Sequence, residues 1–389
     1  MSDLLPFSLP FTPALVHGAL ELEATPGGIL PHRLPAWARA QCRDAQLAMV
    51  EAQPSGVRLV CETAATRIVL VTLPTKRVYR GMPPRPDGVV DLLVDGVLTA
   101  QASAPAGKTL AIDLALGTVT EQAGEPQTLR FDGLPARKKR IELWLPHDET
   151  TELVGLHADA PLDIAAPSGK RRWLHHGSSI SQGSNAASPT GIWPAVAAAR
   201  AGVELVNLGY GGSAVLDPFV ARTMRDLPAD IISVKIGINP VNLDLMRQRA
   251  FGPAVHGFLD TIRDGHPSTP LLVVSPIHCP IHEDVPGPTL YDTGAMRAGR
   301  VLFRATGNAG EVRQGKLALG VVRALLREIV AQRALSDPHI RYVDGNTLYG
   351  AEDAVRMPLP DALHPDAAAH RVIGERFAPW LCGAGDESA

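Results

Sequence analysis

The hydrophobic period of this chain changes once, near residue 165, and that change limits the folds open to it. Upstream, short β-type runs alternate with Gly, Pro and Asp turn signals: 56–63, 66–73, 89–96, 98–103, 108–114, 128–134, 139–147 and 152–160. Several short strands at close spacing predict an antiparallel sandwich or jelly roll. The stretch Val94-Asp95-Gly96-Val97 predicts a two-residue hairpin turn. Downstream of the Pro/Gly/Ser-containing stretch 161–170, the pattern becomes strand, loop, helix, repeated. Strands are expected over 171–177, 203–209, 230–237, 270–277 and 339–345. Helices are expected over 191–202, 214–227, 243–265 (with an irregularity at Gly252-Pro253), 316–335 and 366–381. Apolar strands alternating with helices imply a parallel sheet covered on both faces. The expected domains are therefore a β-sandwich over 1–165 and an α/β domain over 170–385.

Composition excludes several classes. The 389 residues carry a net charge of −3, so no strong field draws the chain to nucleic acid. The basic clusters Arg137–Arg140 and Lys170–Arg172 read as solvated strand ends. The four cysteines, Cys42, Cys61, Cys279 and Cys382, lack CxxC spacing, which argues against structural zinc. Free buried thiols are the expectation for a chain of this size. The first residues lack a basic n-region and are broken by prolines, and no apolar run is long enough to span a bilayer. The cytoplasm is the default location, with no membrane span expected.

In a doubly wound sheet, ligands sit beyond the carboxyl ends of the strands, so chemistry is sought in those loops. The first loop holds Gly177-Ser178-Ser179-Ile180-Ser181, then Gly183. A serine on a strand-to-helix turn has an exposed Oγ with backbone N–H groups nearby, which suits a nucleophile. An ordinary Ser/Gly loop is the alternative. The GxSxG elbow of α/β-hydrolases is absent, and so are a P-loop and a GxGxxG dinucleotide fingerprint. The second loop, 207–214, is rich in glycine, which allows close backbone approach. The third holds Gly237-Ile238-Asn239-Pro240. Asn239 could present a carboxamide donor at the sheet edge, or form an Asx turn. The last reads Asp361-Ala362-Leu363-His364-Pro365. That spacing lets a carboxylate accept from Nδ1–H and leaves Nε2 toward a nucleophile. The other histidines, His175 and His176 included, read as structural.

Ser, Gly, Asn and Asp-x-x-His, in this order and each after an expected strand, resemble the four blocks of the GDSL-like esterase/lipase (SGNH hydrolase) superfamily. The blocks match Gly177–Gly183, Asn207–Gly212, Gly237–Asn239 and Asp361–His364, and the resemblance covers about 170–383. The upstream half is similar, more loosely, to the β-sandwich preceding this domain in one bacterial subgroup. The resemblance implies a three-layer α/β/α, flavodoxin-like, five-stranded parallel sheet. It implies Ser179 as nucleophile, His364 as general base and Asp361 as its orienting partner. It also implies an oxyanion hole from the N–H groups of Ser179 and Gly212 and the side chain of Asn239, with no metal or organic cofactor. Ser178 and Pro240 depart from the usual motif residues.

The expected activity is hydrolysis of small-molecule carboxylic esters through an acyl-enzyme. Acyl transfer to an alcohol shares that chemistry, and carbohydrate deacetylation is a third outcome. Against sugar binding, the first half offers only Trp37, Trp144 and Tyr79 as platform aromatics. From a different class, a non-catalytic binding protein on a hydrolase scaffold is disfavoured because all four blocks are filled. The irregular stretch 275–315 is long enough to be a binding loop, bordering the acyl or alcohol pocket with Tyr291 and Met296. A homo-oligomer is left open.

Overall fold

The computed structural model describes residues 5–113 and 116–383. The expected strand end at Leu114 and the expected domain end at 384–385 lie outside the described residues. The chain divides into two compact units. One comprises 1–36, 48–169 and 188–190; the other comprises 37–47, 170–187 and 191–389. Trp37 thus belongs with the second unit, where Arg222 lies over its ring at 5.1 Å.

The first unit contains an eight-stranded and a six-stranded sheet. The eight-stranded sheet is built around Ile68–Tyr79 and Thr150–Ala158. The six-stranded one is built around Arg58–Thr63, Lys139–Trp144 and Val89–Val94. The pairing is antiparallel except where Ile68–Tyr79 runs parallel to Lys108–Asp113. That strand continues well past the expected end at residue 73, through Pro74. One buried cluster draws Leu59, Leu92, Ile141 and Leu143 from one sheet and Ile68, Leu70, Phe131 and Leu156 from the other. Val94 pairs with Val97 across the expected hairpin, with Asp95 and Gly96 at φ of 51° and 82°. Both central residues at positive φ are what the tight primed turn needs to match strand twist.

The basic stretch 137–140 is not a uniformly solvated strand end. Lys139 is buried, and its ammonium donates to Ala65 O over 2.6 Å. A buried charge must find acceptors, and the carbonyls of this turn supply them. The segment 188–190 is fastened in this unit by fully buried Asp91. Its Oδ2 accepts from Ser188 Oγ at 2.7 Å, Thr190 N at 2.9 Å and Thr190 Oγ1 at 2.6 Å.

The second unit carries a five-stranded sheet, entirely parallel: β1 Arg172–Gly177, β2 Glu204–Gly209, β3 Ile231–Lys235, β4 Leu271–Val274 and β5 Ile340–Val343. The order is β2-β1-β3-β4-β5, the flavodoxin-like order. Its helices include α1 Ser179–Gln182, α2 Trp193–Ala201, α3 Pro218–Asp226, α4 Ile238–Asn242, α5 Gln248–Gly265, α6 Leu319–Ala334 and α7 Ala367–Leu381, besides shorter ones. Gly252-Pro253, where an irregularity is expected, lies inside α5 as its fifth and sixth residues; the helix runs through it, and Pro253 has no N–H to give to the carbonyl four residues before it. Trp173, Trp193 and Phe377 are fully buried where β1, α2 and α7 meet, with ring centroids 5.1–6.0 Å apart. Such clusters anchor a core because each ring buries a large apolar area in a fixed geometry.

Asp353, in the helix Ala351–Arg356, ties this segment to α7. Its carboxylate accepts from Arg376 at 2.6 and 3.1 Å, Arg356 at 3.1 Å and Gly350 N at 2.9 Å. The Arg376 hydrogen bonds hold its pKa down, from 3.8 to about 2. A depressed carboxyl stabilises the fold above its unfolded pKa and loses that contribution as pH falls through the folded one. Asp353→Asn should therefore lower urea resistance near neutral pH, and the gap to the parent should close as pH falls toward about 2. A gap that is constant with pH would exclude this linkage.

All four cysteines are free. Cys61 and Cys279 are buried as expected, whereas Cys42 is half-buried and Cys382 exposed. Among the described residues, no helix is long and apolar enough to cross a membrane.

Candidate active site

The candidate nucleophile lies where β1 gives way to α1. Ser178 caps the helix, its Oγ accepting from Ile180 N at 3.4 Å. Ser179 is the first helical residue, so its N–H has no intrahelical acceptor. It is half-exposed while Ser178, Ile180 and Ser181 are buried. Serine at 178 thus serves locally as an N-cap.

The Ser179 hydroxyl lies 2.9 Å from His364 Nε2, and His364 Nδ1 lies 2.7 Å from Asp361 Oδ2. An imidazole that gives Nδ1–H to a carboxylate has its lone pair on Nε2, so Ser179 O–H is the donor to it. Asp361 also orders its own loop: Oδ1 accepts from Leu363 N at 2.9 Å and His364 N at 2.7 Å. Asn185 Nδ2 donates to Oδ2 at 3.1 Å, a partner the sequence reading missed. Burial disfavours the Asp361 charge, but the bond to His364, its charge and the two backbone N–H groups outweigh it. The carboxyl is held below its usual range and stays ionised.

The second and third loops are joined to this turn by hydrogen bonds. Asn207 Nδ2 donates to Ser181 O at 2.9 Å, and its Oδ1 accepts from Gly209 N at 3.0 Å. Gln182 Oε1 accepts from Gly211 N at 2.7 Å, and Gln46 Nε2 donates to Gly211 O at 2.9 Å. Gly212 follows at φ 72°, the third residue of a turn closed by Ser213 N to Tyr210 O at 3.1 Å. A side chain there would be strained. Asn239 is not an Asx turn. Its Oδ1 accepts from Ala214 N over 3.0 Å, so the carboxamide spans the two loops and Nδ2–H is its donor end. Pro240 sits inside the first turn of α4, where a missing N–H is tolerated. Gly237 before it has φ 121°, and a Cβ there would lie 2.4 Å from Val322 Cγ1.

Beneath α1, His175 is fully buried and half-encloses a polar chain. Trp173 Nε1–H donates to Ser233 Oγ at 2.8 Å; Ser233 lies 2.7 Å from His175 Nδ1, and His175 Nε2 lies 2.8 Å from Ser181 Oγ. Burial first, then the His176 and Lys235 charges, push His175 well down, so it is neutral. Burial and then Glu283 raise the Cys279 thiol to about 12.

The stretch 275–315 contains a hairpin of strands Thr289–Tyr291 and Phe303–Ala305. Tyr291 stacks on Phe303 at 4.9 Å, and Phe303 meets the His364 ring edge-on at 5.6 Å. Phe303 N donates to Asp361 O at 2.9 Å. Tyr291 is thus one ring removed from His364. Met296 is half-buried on the short helix Thr293–Arg297, and no described contact joins it to His364 or Asp361. Phe303 was missed because a three-residue strand in an irregular stretch has no readable period. Among the described residues, no cluster of His, Cys, Asp or Glu could hold a metal ion.

Residues 170–282 match the family described as GDSL-like Lipase/Acylhydrolase. No curated protein sequence matches the chain significantly. Among solved structures, it is similar to a salicylyl-acyltransferase from a tetracycline biosynthetic pathway, at 27% identity and TM-score 0.78 over 97% of both chains. It is also similar to a GDSL-like lipase candidate from Bacteroides ovatus, at 18% identity and TM-score 0.68 over 95% of both. An acetyl xylan esterase from the rumen bacterium Butyrivibrio proteoclasticus matches over 98% of both chains at 10% identity and TM-score 0.54. At these last two identities the likeness is one of fold alone.

Proposed function

We propose that this chain, which carries a GDSL-like lipase/acylhydrolase domain over residues 170–282, cleaves carboxylic esters with Ser179 as nucleophile. The observation that carries the reading is the continuous set of hydrogen bonds from Ser179 Oγ through His364 to Asp361. In this reading Ser179 Oγ attacks the ester carbonyl carbon while its proton passes to His364 Nε2. Asp361 holds the imidazole in the required tautomer and offsets the imidazolium charge. The N–H groups of Ser179 and Gly212 and Asn239 Nδ2–H receive the oxyanion. His364 then gives its proton to the leaving alcohol oxygen, which leaves an acyl-Ser179. A second nucleophile, water or an alcohol, reverses these steps and frees the serine.

Acyl transfer is the second reading. It is supported by the likeness to the salicylyl-acyltransferase, at 27% identity over 97% of both chains. The same likeness points to small aromatic acyl groups as the first substrates to try. The acetyl xylan esterase shares the fold and lends no substrate. The flavodoxin-like strand order, with α2 packed on α7 and α3 on α5, supports a three-layer reading of the second unit. The core shared by both sheets supports a sandwich reading of the first.

The test is a panel of p-nitrophenyl esters together with a fluorophosphonate probe. Stoichiometric labelling of Ser179 and turnover of the acetate or an aryl ester are expected. An intact, folded protein that neither labels nor hydrolyses any ester would favour a binding protein on this scaffold.

A further inference from the structure

Two contacts bring the hairpin 289–305 onto the residues that would activate the second nucleophile. Phe303 donates its backbone N–H to Asp361 O at 2.9 Å. Its ring meets His364 edge-on, with centroids 5.6 Å apart and planes at 75°. Tyr291, on the opposite strand, stacks on the Phe303 ring at 4.9 Å and is paired with Phe303 in register. The hairpin base is pinned as well: Thr306 N donates to Pro288 O at 2.9 Å, and His282 Nε2 lies 2.6 Å from Thr289 Oγ1. The aromatic pair is therefore a fixed wall beside His364, not a loose excursion, and the His364 side chain is only 11% exposed.

From this placement we propose that Phe303, backed by Tyr291, sets how the acyl-enzyme partitions between water and an alcohol. The inference rests on the reading of Ser179, His364 and Asp361 as the acylating machinery. In the deciding step an oxygen nucleophile attacks the acyl carbon and its proton goes to His364 Nε2. The bond from the acyl carbon to Ser179 Oγ then breaks, and Ser179 recovers the proton. Water and alcohol undergo the same step, so the outcome depends on which is held next to His364. A phenyl ring there offers water no hydrogen bond, whereas it gives an apolar or aromatic alcohol a surface on which to lose its own hydration. Phe303 is thus a specificity-determining residue for an alcohol acceptor with an apolar or aromatic body, and it touches no proton itself.

The experiment uses the full chain with p-nitrophenyl acetate and benzyl alcohol, and reads the ratio of benzyl acetate to free acetate. Active enzyme is counted by fluorophosphonate labelling of Ser179. Per labelled site, Phe303→Ala should show a transfer-to-hydrolysis ratio about tenfold lower, the scale of discrimination lost with a few apolar contacts in a pocket. Tyr291→Ala, which removes only the supporting ring, should shift the ratio the same way by less. Phe303→Leu, which restores apolar bulk, should recover much of the ratio. An unchanged ratio in Phe303→Ala and Tyr291→Ala, or an equal fall of transfer and hydrolysis in both, overturns the role of the wall. Should Phe303→Ala fail to label, the Tyr291→Ala ratio decides alone. Persistence of hydrolysis in Ser179→Ala would instead overturn the acyl-enzyme reading, so the two failures are distinct.

Discussion

Ser179→Ala is expected to lower kcat for p-nitrophenyl acetate by about a millionfold, and His364→Ala by a similar factor. This is the size of loss when either member is removed from another Ser-His-Asp hydrolase. The two substitutions should not add, because each disables the same proton transfer. Asp361→Asn should cost about ten-thousandfold, since the amide can still hold the loop but no longer fixes the imidazole tautomer. The loop argument matters here. Asp361 Oδ1 accepts from Leu363 N and His364 N, and those bonds survive with an amide oxygen in place. Lost ionisation, not a displaced loop, is then what Asp361→Asn reports. Because Asp361 is held below the ordinary carboxyl range, its own titration should not shape the acid limb of the parent's pH profile at moderately acid pH. Steady-state kinetics with active-site labelling checks all three variants. Retention of more than about a hundredth of parental kcat in Ser179→Ala would remove serine acylation as the mechanism.

The parts of this fold that are legible from sequence are those with a strong local period. Each strand of the parallel sheet lies within its expected range, most clearly the apolar runs of β3 and β4. The Asp361–His364 spacing is legible for a similar reason, since the two meet within three residues, while the start of α7 is set by Asp366, whose side chain caps it by accepting from Ala369 N at 2.8 Å. What is not legible depends on long-range partners. Asn239 reads equally as a local Asx turn, and only Ala214, 25 residues away, decides its orientation. Asn185 reaches Asp361 across 176 residues. Lys139 looks like one of a solvated basic cluster until Ala65 O is found against its ammonium. Phe303 lies in a stretch whose prolines and glycines hide a hairpin of two three-residue strands. Segment 37–47 carries no composition shift to mark that it packs with the second unit.

The second large effect concerns charge rather than proton transfer. Asn239→Ala should lower kcat by roughly a hundredfold to a thousandfold while KM moves little, as expected for a donor that acts on an oxyanion formed after binding. The geometry makes this a demanding test. Asn239 is 1% exposed, its Oδ1 is committed to Ala214 N, and Gly237 before it cannot accept a side chain without meeting Val322. The carboxamide is therefore held in one orientation before substrate arrives, and a preorganised dipole is worth more than one that must turn. Truncation also leaves Ala214 N–H without its acceptor, so some loss of stability is expected, of order 1–3 kcal/mol for an unsatisfied buried group. Asn239→Asp separates the two effects. It can keep the bond from Ala214 N–H, yet it offers the oxyanion a negative charge in place of a donor. If Asn239 acts through the oxyanion, Asn239→Asp should be at least as slow as Asn239→Ala though better folded. If its role is only to tether the loop holding Gly212, Asn239→Asp should recover most of the parental kcat. Thermal melts alongside kcat and KM for the pair decide between these, with labelling of Ser179 by the fluorophosphonate to count folded sites.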